Sequence, residues 1–418
     1  MRVGLPSGKR EIELNIPDEN ILNIITEKSS GFSLDEREII ADALKNPIKS
    51  KRLHEISSGK NSACIIASDI TRPCPSHKFL QTLAGELNMG GIKNANIGIM
   101  LGLGIHRGHT DDEKRQLVGD YIYNSIETID SDISESKLIG HTSRGTPVEI
   151  FKRVLDYDLL IVTGNIEYHY FAGYSGGAKA VMPGVCSRNS IQSNHSMMMD
   201  DRAAAGRFFD NPVRKDIEEA GKLAGIDFIF NVILDNEKNI IAAVAGRNNE
   251  AYLEGIERYD SIYKNEVESA ADIVITSQGG YPKDLNLYQS HKALENVKEI
   301  TAAGGTIILA ASCCEGYGDA VFKQWMTGHN DYDHLIKKLK RKFVLGGHKA
   351  AAISKILTEK EILLYSDFSR EETEKMGFGK IEDIQKYLSN RILQNKEIKI
   401  AVVPEGRFVR LRNKRCLD

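Results

Sequence analysis

Short apolar runs that stop at a glycine or a charged turn, and then give way to amphipathic helices, recur along this chain. That rhythm leaves few folds open, because a run apolar on both faces has to be buried on both, as in a parallel sheet covered by helices. Residues 62–69 form such a run and end in the turn Thr71-Arg72-Pro73. Pro75 opens an amphipathic helix over about 76–88 that stops at Gly90-Gly91, and the next strand, 95–101, enters Gly102-Leu103-Gly104. Thr110-Asp111-Asp112-Glu113 has the form of a capping box, which places His106 and His109 in a strand-to-helix loop. A strand over 11–16 and hairpins over 137–150 and 228–245, the second turning at 235–239, complete the first part. Between the hairpins, a strand at 158–163 runs into a glycine-dense stretch, Gly164 to Gly184.

A helix over about 249–266 leads into strands at 272–276, 306–310, 361–365 and 399–403. They alternate with helices near 287–302, 319–342 and 380–391. The pattern predicts an α/β fold in two domains. Residues 1–266 make an N-terminal α/β domain and residues 267–405 a C-terminal domain with a doubly wound, Rossmann-like sheet. The tail 406–418 is a candidate to return to the first domain. Ligands in such folds sit beyond the carboxyl ends of strands or between domains, so the active site is expected in the interdomain cleft.

Lys+Arg at 55 against Asp+Glu at 58 give a net charge of −3, which argues against nucleic acid or an anionic membrane as partner. The longest apolar runs, 240–245 and 305–311, fall short of the roughly 20 residues a membrane span needs. No signal-peptide core follows the first basic residues, and the six cysteines are spaced as neither a zinc ribbon nor a disulfide framework. A cytoplasmic protein with small-molecule partners is expected, as a monomer or small homo-oligomer.

Four segments could carry chemistry. Ser68-Asp69-Ile70-Thr71-Arg72-Pro73-Cys74-Pro75 puts an anion, a hydroxyl and a guanidinium at a strand end, a grip for a carboxylate or phosphate or else a capped surface turn. Gly104-Ile105-His106-Arg107-Gly108-His109 offers a loop histidine for acid/base work, and the three-residue spacing of its histidines also suggests a metal pair. Its glycines do not match the dinucleotide fingerprint. From Gly164 to Gly184, five glycines and Ser175 lie among His169 and Lys179, so the backbone can approach a ligand and the lysine can anchor a cofactor covalently. This is not a Walker A loop. His195 is placed near a helix start, where capping is the plain alternative. In the fourth segment, 277–294, Tyr288 and Lys292 share one helix face with Gln289 adjacent, a clamp for carboxylate and hydroxyl or a solvated face.

Taken together these segments resemble, in order and spacing, the nickel-dependent lactate racemase (LarA) family of 2-hydroxy-acid racemases and epimerases. The most specific parts are Ser175-Gly176-Gly177-Ala178-Lys179 and Gly280-Tyr281-Pro282-x-Asp284-x-Asn286-Leu287-Tyr288-Gln289. The resemblance implies an isomerase that inverts C2 of a 2-hydroxy acid by proton-coupled hydride transfer. Its cofactor would be a nickel-pincer nucleotide, pyridinium-3,5-bisthiocarboxylic acid mononucleotide nickel, joined covalently to Lys179 and supplied by cofactor-biosynthesis enzymes that bind transiently. His195 would ligate Ni2+. His106 and His169 would be the acid/base pair. Asp69, Thr71, Arg72, Tyr174, Ser175, Gly176 and Gly177 would surround the cofactor, and Arg72, Tyr288, Gln289 and Lys292 would hold the substrate. Hydride transfer avoids the carbanion that direct removal of a weakly acidic α-hydrogen by histidine would require.

The only tryptophan, Trp325, is expected in a helix, apart from the loop at 345–350 where an aromatic wall for a methyl-bearing substrate is sought. His348 in that loop leaves polar or larger 2-hydroxy acids open beside lactate. Two rival readings remain: a 2-hydroxy-acid dehydrogenase or Schiff-base enzyme using Lys179 for another cofactor, and a non-catalytic carrier of the nickel cofactor.

Overall fold

In the computed structural model the described residues are 1–26, 35–72, 74–235, 237–328, 331–341, 343–406 and 409–411. Pro73 of the first turn, Asn236 of the hairpin turn, positions 329, 330 and 342 of the expected long helix, and 412–418 of the tail lie outside them. The chain divides into two compact units, Ser30–Tyr263 and Met1–Ser29 with Lys264–Asp418.

The first of these units is built on a six-stranded sheet in the order Ile240–Gly246, Phe228–Leu234, Leu159–Asn165, Ala63–Ser68, Ile97–Gly102, Glu127–Asp130. All neighbours pair in parallel except the outermost hairpin, Phe228–Leu234 with Ile240–Gly246. From Ala63–Ser68 the chain fills the sheet to one side, through Ile97–Gly102 and Glu127–Asp130. It then restarts on the other side with Leu159–Asn165. The order therefore reverses between Ala63–Ser68 and Leu159–Asn165, the kind of point at which open α/β sheets bind ligands beyond the carboxyl ends of their strands. One core face is lined by Ile65, Ile99, Ile161, Phe228 and Phe230, with Phe79 and Leu83 of the covering helix against it.

The other unit has an all-parallel sheet in the order Gly379–Lys380, Glu361–Tyr365, Thr301–Ala310, Ala271–Ser277, Ile400–Val403, Ile21–Ile24. It is doubly wound, with its reversal between Ala271–Ser277 and Ile400–Val403. Two boundary expectations are corrected here. Residues 1–26 belong to this unit and not to an N-terminal domain ending at 266. The strand Ile21–Ile24 pairs with Ile400–Val403, and the hairpin Arg2–Ser7 with Arg10–Asn15 buries Leu5, Leu14 and Ile16 against Ile273, Ile308 and Val402. The described part of the tail also stays in this unit, since Val409–Leu411 pairs in parallel with Asn265–Val267. The helix expected to 266 accordingly stops at Tyr263.

Local sequence explains most elements. Thr110 and Glu113 exchange hydrogen bonds as a capping box at the start of Asp111–Val118. Asn211 caps Pro212–Ala224, whose Pro212 lies in the first turn and whose end is Gly225 in the left-handed region at φ 75°. The helix expected over 319–342 is instead two, Ala320–Thr327 and Tyr332–Arg341. The loop expected at 345–350 becomes a helix from Gly347 onward.

Candidate active site

Three loops at the carboxyl ends of adjacent strands carry the candidate residues of unit 30–263. After Ala63–Ser68 the chain turns at once, and Asp69, buried to 3% exposure, accepts from Thr71 Oγ1 at 2.8 Å and from Thr71 N–H. After Ile97–Gly102, His106 brings its Nδ1 onto Asp69 Oδ2. Charge and hydrogen bonding from His106, with Arg72 beside it, outweigh burial and hold the Asp69 carboxyl below its ordinary range. An ionised Asp69 fixes the His106 proton on Nδ1 and leaves Nε2 as the acceptor nitrogen. Asp69, expected among the cofactor contacts, is thus the partner of the acid/base candidate. Arg72 is exposed.

The third loop follows Leu159–Asn165. His169 stacks on Tyr170 at 5.3 Å and meets the edge of Phe171 at 4.6 Å, and Phe171 also packs edge-on against His195 at 4.9 Å, so one ring bridges the two histidines. Burial, with Lys179, Arg72 and His195 close by, pushes the His169 imidazole well below its usual range. Ala172 N–H donates to its Nδ1 at 3.2 Å, which puts the ring proton on Nε2. To take a proton at Nε2 the ring must give up that contact. The two histidines therefore have opposite surroundings: His106 bears on the Asp69 carboxylate, while burial and cations favour the neutral form of His169.

Lys179 lies in the helical turn Gly177–Ala180. Desolvation, then Arg72 and Arg214, drive its ammonium well below the ordinary lysine range, against weaker opposing pulls from Glu167 and Asp69. That favours the uncharged amine, the form that acts as a nucleophile. The loop around it is held by residues the sequence reading missed. Arg214, with no exposed surface, donates to the carbonyls of Ala172 (3.1 Å) and Tyr174 and pairs with Glu218 at 3.0 Å. Asn231 Oδ1 accepts Gly177 N–H at 2.8 Å, and Tyr252 O–H donates to the Ser175 carbonyl at 2.7 Å. Gly177 sits at φ 59°, where a Cβ would also press within 2.9 Å of the Tyr252 ring, so glycine is required there. Tyr174 is buried with its hydroxyl on Asp260, a supporting contact.

His195 falls in the last turn of Arg188–Ser196, not at a helix start as expected. Asn194 Nδ2 donates to Asp216 Oδ2 at 2.8 Å, which orients Asn194 Oδ1 as the acceptor for His195 Nδ1 at 3.1 Å. The lone pair then sits on Nε2, the arrangement of a metal-binding imidazole with an outer partner. The metal pair suggested by His106 and His109 does not form. His109 donates from Nδ1 to Asp130 Oδ1 at 2.6 Å and accepts Ile70 N–H at Nε2 at 3.1 Å, so both nitrogens are used. Among the described residues no three or more His, Cys, Asp or Glu are grouped to hold a metal.

In the other unit, Asn286 caps Leu287–Val297, which carries Tyr288, Gln289 and Lys292 as expected. Lys292 is exposed. Lys349 Nζ donates to the Tyr288 carbonyl at 2.7 Å and lies 3.5 Å from its ring centre; burial and Lys292 lower its ammonium to about 6. His348 is buried, its Nδ1 accepts Gly346 N–H at 3.1 Å, and its ring tilts against Phe343. Trp325, far in sequence from 345–350, packs directly on Gly347, where a Cβ would fall 2.6 Å from the indole.

A lactate racemase N-terminal domain model matches residues 7–206 and a lactate racemase C-terminal domain model residues 267–410. The chain is 34% identical to a lactate racemase of Thermoanaerobacterium thermosaccharolyticum, over 99% of both proteins. The chain belongs to the lactate racemase family. A lactate racemase of Lactiplantibacillus plantarum is 33% identical over 87% of this chain and 88% of its own. The Thermoanaerobacterium lactate racemase apoprotein superposes with a TM-score of 0.90 over 99% of this chain and 100% of that one, at 34% identity. A Thermotoga maritima protein shares the fold, with a TM-score of 0.63 at 18% identity over 91% of this chain and 99% of its own. Family membership makes the chain a racemase-type isomerase and bears out the resemblance read from its motifs. No helix among the described residues is long and apolar enough to cross a membrane.

Proposed function

We propose that the chain is a 2-hydroxy-acid racemase of the lactate type, working with a nickel-pincer nucleotide attached at Lys179. The observation that carries this reading is the convergence of His169, Lys179, His195 and Arg72 in one electrostatic neighbourhood at the sheet's reversal point. The residues fit the group. Lys179 supplies a neutral amine for a covalent link. His195 would supply one imidazole lone pair to the nickel, the cofactor bringing the other donors. When bound, the cofactor supplies a hydride acceptor, so no carbanion need form.

The chain's own residues manage the proton and the orientation. Arg72 offers a bidentate grip for the substrate carboxylate. His106 and His169 exchange the hydroxyl proton: Asp69 orients the His106 ring, and the surroundings of His169 favour its neutral form. In the other unit, the helix Leu287–Val297 carries Tyr288, Gln289 and Lys292, a hydroxyl, an amide and an ammonium of the kinds that bind a 2-hydroxy acid. A carrier would need Lys179 and His195 but would have no use for the Asp69–His106 pair.

The test is the intact mass of the chain after co-expression with the cofactor-making enzymes, beside Lys179→Ala, followed by chiral analysis of L-lactate incubated with the loaded protein. A nickel-nucleotide adduct on the wild type alone, with D-lactate appearing, is expected. An adduct without turnover of any 2-hydroxy acid tried would favour the carrier. No adduct, with a known family member loaded in parallel, would overturn the cofactor assignment.

A further inference from the structure

We infer that His109, oriented by Asp130, is a positioning residue that sets the turn carrying Asp69, Thr71 and Arg72, and through it the acid/base imidazole of His106. The inference rests on the proposed role of His106 only for its effect on rate. The observations run outward from Asp69. Its neighbour Ile70 presents a backbone N–H that no helix or sheet partner takes up; His109 Nε2 accepts it at 3.1 Å. The His109 side chain is 1% exposed, so this is a buried contact with no competing solvent.

Asp130 determines which nitrogen is bare. Its Oδ1 accepts from His109 Nδ1 at 2.6 Å and its Oδ2 from His109 N–H at 2.8 Å. A carboxylate accepts at both oxygens, so the imidazole proton is fixed on Nδ1 and Nε2 stays an acceptor. Gly108 lets the carboxylate come this close, since a Cβ there would lie 3.3 Å from Oδ2. Lys114 stands 3.8 Å from the same oxygen, and the neighbouring Arg107 is turned away by pairing with Glu113 at 2.6 Å. The far end of the loop is tied down as well, Gly104 N–H to the Gly184 carbonyl at 2.8 Å and Leu103 N–H to Ser131 at 3.0 Å. The turn bearing Asp69 and the loop bearing His106 are thus joined at His106, which meets Asp69 and lies 3.4 Å from Thr71 Oγ1, and independently through His109.

The substitutions differ in what they leave. Asp130→Asn presents one acceptor and one donor to two N–H groups of His109, so either amide orientation opposes two donors or flips the imidazole and turns Nε2–H toward Ile70 N–H. His109→Gln keeps an acceptor that can reach Ile70; His109→Ala keeps none. In the unloaded chain, 15N NMR of the histidine rings and hydrogen exchange at Ile70 report the contact directly. His109→Ala and Asp130→Asn should speed Ile70 exchange and disturb the Nδ1-protonated state of His106, while His109→Gln should preserve both. In the loaded enzyme the first two should lose about 10–100-fold in kcat, the usual size for an outer partner of a site residue, with His109→Gln recovering most of it. An unchanged Ile70 amide and His106 ring in His109→Ala would overturn the inference. So would a His109→Gln as impaired in both NMR readouts as His109→Ala at equal thermal stability. Because the NMR readouts need neither cofactor nor substrate, failure of the racemase reading leaves them intact and is told apart.

Discussion

A lysine that folds into a neutral state gives up a proton on folding. The unfolded chain keeps Lys179 protonated up to about pH 10.4, whereas the folded chain, with Arg72 and Arg214 nearby and little water, releases that proton well below it. Between those limits the unfolded state binds more protons, so stability rises with pH. In the unloaded protein Lys179→Met removes this contribution. Thermal melts should show the variant's gain over wild type shrinking as pH rises, and vanishing toward about pH 10.4. Parallel curves would contradict a desolvated amine. At the same scale, Asp69→Asn deprives His106 of its anion and should cost about 10²–10⁴-fold in turnover, as should His106→Ala. Wild-type rates in both would remove the pair from the chemistry. These residues were legible because loops after strands display chemistry openly. Arg214 was not, although its signal existed: it sits three and seven positions before Ile217 and Gly221, a guanidinium on the buried face of a helix.

The glycine-rich loop shows what elements add to residues. Its hydrogen-bond partners come from a helix, Pro212–Ala224, from the strand Phe228–Leu234 and from Asn248–Tyr263, none with a conspicuous motif. Removing the helix's contribution by Arg214→Met leaves two carbonyls and the Glu218 carboxylate buried without their donor, and should cost about 3–5 kcal/mol in urea unfolding. A loss below about 1 kcal/mol would mean water replaces the guanidinium. Local patterns reported the start of Asp111–Val118 and both hairpins correctly, because caps and turns are decided within a few residues. They failed at 319–342, where a break at Gly328 falls inside a long amphipathic stretch, and at 347, where a helix begins without a side-chain cap.

For the whole chain, the two parallel sheets followed from the sequence and the allocation of residues 1–26 did not. Parallel pairing links strands remote in sequence, and nothing around Ile21–Ile24 announces a partner at Ile400–Val403. The division predicts that a piece spanning 35–263 folds cooperatively alone, since the described members of its main core cluster, Ile40 to Ala245, all lie within it. A piece spanning 264–411 without 1–26 should aggregate, because it bares the edge of Ile400–Val403 and the apolar surface that Leu5, Leu14 and Ile16 cover. Sedimentation and circular dichroism of the two pieces decide this, and a soluble, cooperatively melting second piece would refute it.

The same strand imposes a wait during synthesis. Ile21–Ile24 leaves the ribosome about 380 residues before the strand it pairs with, a lag of roughly 20–75 s at ordinary bacterial or eukaryotic elongation rates. Throughout that interval the start of the chain has no edge to join, while everything from Ala63 to Gly246 can already close its own sheet. A segment made early is therefore installed late, and it must stay unpaired and soluble while about 380 further residues are made.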